Sequence, residues 1–66
     1  MKTLDVVALL EGIPGKRLGR GQVGTIVEEL DDDTFLVEFS DRQGHLYATV
    51  PIKQIKLLEL KYSRAS

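Results

Sequence analysis

Apolar residues fall along this chain in short runs, each bounded by acids, glycines or other turn formers. The first run, from Asp5 to Leu10, is continuous, and its valines favour a buried strand over a helix too short to stand alone. Gly12 to Gly21 then holds four glycines and a proline, the composition of a long irregular loop, with Ile13 and Leu18 placed to anchor it on a core. A second strand is expected from Gln22 to Glu29, and Gly24 inside it marks a bulge or a bend where a curled sheet turns its corner. Asp31, Asp32 and Asp33 form a tight turn into a third strand, Thr34 to Phe39, in which Phe35, Val37 and Phe39 share one face at period two.

Ser40 to Gly44 gives a second turn, and His45 to Val50 alternates Leu46, Ala48 and Val50 with His45, Tyr47 and Thr49, the pattern of a half-buried fourth strand. Pro51 cannot donate a ladder hydrogen bond, so the strand is expected to end there. Pro51 to Gln54 is the right length for one helical turn, and a short last strand, Ile55 to Leu58 or Leu60, follows it. Residues 61–66 show no periodic pattern and are expected to fray.

Five short strands, a long first loop, two tight hairpins and a one-turn helix before the last strand are the element order of an SH3-like barrel. The sequence therefore predicts an all-β fold, a small SH3-like five-stranded barrel over residues 1–60. Three blocks carry a resemblance as well: Leu4 to Glu11, Arg20 to Glu28, and Phe35 to Phe39. They resemble, in order, a family of short bacterial proteins common in cyanobacteria and catalogued as a domain of unknown function, number 4926, which has no assigned activity. The resemblance covers residues 4 to 60. Val23 to Val27 followed by Val37 to Phe39 is also similar, at the level of fold, to the barrel of a small photosystem I peripheral subunit and to the KOW motif of ribosomal and transcription proteins.

Length limits what such a domain can do. A chain of 66 residues buries only about 60% of the surface its unfolded form exposes, so its core is thin. It has no cysteine, which rules out disulfides and thiolate metal ligation and fits a reducing compartment. Nine Lys/Arg against ten Asp/Glu give a net charge of −1, with no global field to draw phosphate backbones or anionic lipid. The apolar run near the N-terminus stops at Glu11, too short for a signal-peptide core or a membrane span. A cytoplasmic protein is expected.

Candidate chemistry is sparse. Lys16, Arg17 and Arg20 place three cations on one glycine-rich loop, where an anion or an acidic partner could approach the backbone. The loop leads into a strand and lacks the spacing of a phosphate-binding fingerprint, so a solvated loop is the competing reading. Glu28, Glu29 and Asp31 to Asp33 lack the ligand spacing of a calcium hand and read as an acidic turn. His45 is the single histidine, and no serine stands in a nucleophile elbow, so neither a metal centre nor a nucleophilic constellation is expected. Tyr47 and Arg42 belong to residue types favoured at interface centres. With few aromatics and no tryptophan, a polyproline groove or a base-stacking surface is poorly supported.

The expectation is a non-enzymatic protein-protein interaction module without cofactor or metal, an accessory or regulatory subunit or an antitoxin-like neutraliser. Its candidate contact residues are Lys16, Arg17, Arg20, Arg42, His45 and Tyr47. Its partner is another protein, with weak or no self-association and no membrane contact. The alternative is a KOW-type nucleic-acid-binding barrel, which requires Lys16, Arg17, Arg20, Lys53, Lys56, Lys61 and Arg64 to gather on one side.

Overall fold

A computed structural model describes residues 1–41 and 43–61, with the side chain of Tyr47 left out. It contains five antiparallel strands in one sheet: β1 (Val6–Leu9), β2 (Val23–Asp31), β3 (Thr34–Ser40), β4 (Leu46–Lys53) and β5 (Leu57–Glu59). One 3₁₀ turn, Gln54–Lys56, precedes the last strand. The fold is all-β with one short turn before the last strand, as the order of elements predicts, and the sheet order is β4-β3-β2-β1-β5. The frayed tail expected at the C-terminus falls on residues 62–66, outside the described residues, apart from Lys61.

Nine-residue β2 holds the sheet together. Its first part pairs with β1 (Val6 with Thr25, Ala8 with Val23), while its whole length pairs with β3, from Gly24 with Phe39 to Asp31 with Thr34. Two register shifts leave Val27 and Leu30 as extra residues on β2. Such bulges bend a strand and raise its local twist, which lets one strand serve both halves of a curled sheet. Gly24 is therefore not the bulge. Its pairs with Val7 and Phe39 are in regular register, and a Cβ there would stand 2.8 Å from Phe39 Cδ1, Phe39 Cε1 and Val37 Cγ1. Glycine is required because the Phe39 ring packs over the backbone, with no room between them.

Inward residues follow the period of two. Val7 and Leu9 of β1, Ile26 of β2, Phe35, Val37 and Phe39 of β3, Val50 and Ile52 of β4, and Leu57 of β5 form one buried cluster, joined by Leu18 from the first loop. The three β3 residues lie at its centre, as their spacing predicts. Leu18 is buried, and Ile13 packs against the cluster, so both loop anchors are where the sequence puts them.

Strand β4 departs from expectation. It continues through Pro51 to Lys53, with Pro51 opposite Leu36 and Ile52 opposite Phe35. The reason is its position at the edge of the sheet: a proline is accepted where its nitrogen points away from the neighbouring strand. Ile52 is consequently a core residue and not part of the helical turn, which starts at Gln54. Leu46 is 56% exposed, although alternation assigned it to the buried side. A register shift between Phe39 and Ser40 leaves Tyr47 as an extra residue and pairs Leu46 with outward Ser40, so the alternation breaks. Ile55, expected in the last strand, lies on the 3₁₀ turn and is exposed.

Asp31 likewise belongs to β2, paired with Thr34, which leaves Asp32 and Asp33 as a two-residue connection. The Asp33 carbonyl accepts the N–H of Gln54 at 2.7 Å, tying this hairpin to the 3₁₀ turn.

Candidate functional site

The first loop is built from two turns of the same kind. In Ile13-Pro14-Gly15-Lys16 the Lys16 N–H donates to the Ile13 carbonyl at 3.2 Å, and Gly15 has φ of 81°. In Gly19-Arg20-Gly21-Gln22 the Gln22 N–H donates to the Gly19 carbonyl at 3.1 Å, and Gly21 has φ of 87°. Positive φ at the third position is the requirement of a type II turn, and proline at the second suits the first of them. Arg17 follows in a left-handed conformation at φ of 56°, and the chain then returns so that Ile13 and Leu18 form an antiparallel bridge. The result is a short hairpin pinned to the core by Leu18, with Lys16 and Arg17 at its exposed tip.

Between this tip and β4 lies an open cleft of about 380 Å³, lined by Gly15, Lys16, Arg17, Ala48, Thr49 and Val50. A second hollow, of about 730 Å³, lies within the loop itself between Gly12 and Gly19 and shares Gly15 and Arg17 with the first. Arg17 thus stands between the two.

The cations divide into two sets. Lys53 Nζ lies 3.5 Å from Asp33 Oδ1, and Lys56 Nζ lies 3.1 Å from Glu11 Oε1. Lys16, Arg17 and Arg20 have no carboxylate within 4.0 Å among the described residues. Lys16 and Arg17 meet at the cleft, whereas Arg20 sits on the second turn and lines neither hollow.

The other sequence candidates are placed differently. His45 is 78% exposed, and its Nδ1 lies 3.3 Å from Asp41 Oδ2. Asp41 Oδ1 also accepts the N–H groups of Gln43 and His45, each at 2.9 Å, so Asp41 and His45 organise the β3–β4 turn. Arg42 and the Tyr47 side chain lie outside the described residues. The β2–β3 hairpin tip is exposed and acidic. At Asp31, the N–H of Asp33 donating at 3.0 Å is the main cause of a pKa below the ordinary aspartate value; the Asp33 and Thr34 side chains and the Lys53 charge lower it further. Among the described residues, no three His, Cys, Asp or Glu side chains gather as a metal site, and no helix is long and apolar enough to cross a membrane.

Sequence reasoning missed the β4 half of the cleft. Ala48, Thr49 and Val50 read there as one alternating strand with two faces, and only Pro51 hinted that the strand lies at an edge.

A family model described as "Domain of unknown function (DUF4926)" matches residues 3–59. No curated protein and no solved structure matches the chain.

Proposed function

Because the chain belongs to the DUF4926 family, described as a domain of unknown function, we propose from its surface that it is a non-enzymatic protein-binding module. The observation that carries this reading is the cleft between the first loop and β4, where Lys16 and Arg17 stand without an acidic partner among the described residues. A volume of about 380 Å³ lined by Ala48, Thr49 and Val50 on one side and by Gly15 and two cations on the other suits a mixed polar and apolar contact. The module acts as an accessory or regulatory subunit of another bacterial protein, an antitoxin-like neutraliser being one such role. Its lack of cysteine suits the cytoplasm.

The nucleic-acid reading is the weaker one. It needs the later lysines free for phosphates, yet Lys53 and Lys56 each face an acid. Affinity capture from native extract, run with the wild-type chain and with Lys16→Glu/Arg17→Glu, tests the proposal. A stoichiometric protein held by the first and lost from the second is expected. Tight, salt-sensitive binding of oligonucleotides without any such protein would reverse the choice, since each phosphate contact steepens the salt dependence.

A further inference from the structure

Three consecutive residues of β4, Ala48, Thr49 and Val50, line the cleft. Successive side chains of a strand point to opposite faces, so three in a row bordering one hollow bring main chain as well as side chain to it. Among the described residues β4 is an edge strand, with β3 on one side and no strand on the other. The wall opposite the loop therefore includes the outer main chain of this edge.

Pro51 sets the phase of that edge. It pairs with Leu36 in regular register, and a proline fits a ladder only with its nitrogen turned away from the neighbouring strand. Thr49 lies two residues earlier with no register shift between, opposite Glu38. It has the same orientation, so its N–H and C=O point out of the sheet. No backbone hydrogen bond to this outer side of Thr49 exists among the described residues.

We infer, resting on the protein-binding reading above, that the cleft takes an extended acidic segment of the partner, which adds a strand to β4. Thr49 exchanges main-chain hydrogen bonds with the segment, and the Pro51 carbonyl accepts one more. The absent Pro51 N–H and the Tyr47 bulge limit the paired stretch at its two ends. Lys16 and Arg17, across the cleft, face carboxylates on the segment; main-chain pairing supplies affinity, and the charges select the sequence. An occupant of opposite sign is favoured because, among the described residues, these two cations have no acid within 4.0 Å, unlike Lys53 and Lys56.

An array of short labelled peptides alternating glutamate with valine or threonine, beside lysine-containing counterparts, probes this directly by fluorescence anisotropy at low and physiological salt. Saturable binding of acidic peptides, absent for the lysine series, is expected. Lys16→Glu/Arg17→Glu should weaken it by about tenfold or more, as like charges come face to face. The tightest peptide is then remade with N-methyl groups on alternate amides in each of the two phases, which leaves the protein untouched. One phase should abolish binding, and the Thr49 amide proton should become protected from exchange in the unmodified complex. Equal binding of all methylated forms, or an unprotected Thr49 amide, refutes strand addition. Failure of every acidic peptide also refutes it, and so does concentration-dependent self-association through the acidic β2–β3 tip in place of peptide binding. If a stoichiometric protein is nevertheless lost on charge reversal in extract, the protein-binding reading survives and this inference alone falls.

Discussion

Gly24 illustrates how one residue can be indispensable for a reason other than backbone conformation. Its φ is not positive, and it sits in regular register between β1 and β3. The constraint is the Phe39 ring and Val37 methyl, 2.8 Å from where a Cβ would lie, both on side chains with 0% exposure and no room to move. We predict that Gly24→Val costs about 3 kcal/mol through overpacking, most of what so small a domain has. A thermal melt followed by circular dichroism checks it; an unshifted midpoint would show that the core gives way there. Asp31 supports a pH prediction at the same scale. Its pKa is lowered in the folded chain, first by the Asp33 N–H. Its contribution to stability is therefore complete above the unfolded-state value of about 3.9 and is lost as pH falls through the lower folded-state value. Asp31→Asn should melt below wild type at neutral pH, and the gap should narrow in strong acid. A gap independent of pH would mean that the carboxylate charge plays no part.

Among the elements, β4 and the first loop carry the functional argument, and each depends on the other. The loop stays close to the sheet because Leu18 is buried and Gly21 N–H donates to the Leu9 carbonyl at 2.7 Å. Among the described residues the β4 edge is unpaired, and the missing Pro51 donor and the Tyr47 bulge both discourage indiscriminate strand addition. Pro51→Val restores an outward N–H and lengthens the available edge. We predict that the variant folds but self-associates with rising concentration, measured by sedimentation velocity. If it stays as monodisperse as wild type, the edge is guarded by something other than this proline.

At the scale of the molecule, ten of the described residues, from five strands and one loop, make a single cluster, and Phe39 is its largest fully buried side chain. Below about 70 residues such a core supplies roughly 3–5 kcal/mol, and Phe→Ala in a core costs about the same. Phe39→Ala is accordingly expected to unfold the domain at room temperature. Collapse of the dispersed amide spectrum would report it; a native-like spectrum would show stability drawn from elsewhere. Surface charges weigh far less at this scale. The pairs Lys53–Asp33 and Lys56–Glu11 are exposed, and such pairs contribute about 0–1 kcal/mol.

Local pattern by itself determined the inward face of β3 and the anchors of the first loop. Phe35, Val37 and Phe39 could be placed inside because a period of two between turn formers allows one face to be buried, and Ile13 and Leu18 because an apolar residue in a glycine-rich loop needs a core to rest on. Lys16 and Arg17 were legible as loop cations for the same local reason. Pairing between strands decided the rest. Whether Pro51 ends a strand depends on what lies beside it, and the sheet order alone puts β4 at the edge. The extra residue at Tyr47, which turns Leu46 outward, is a count against Ser40 on another strand. The cleft joins residues 15–17 to residues 48–50, and so distant a juxtaposition leaves no trace in local periodicity. It exists because burial of Leu18 folds the loop against a strand some thirty residues away.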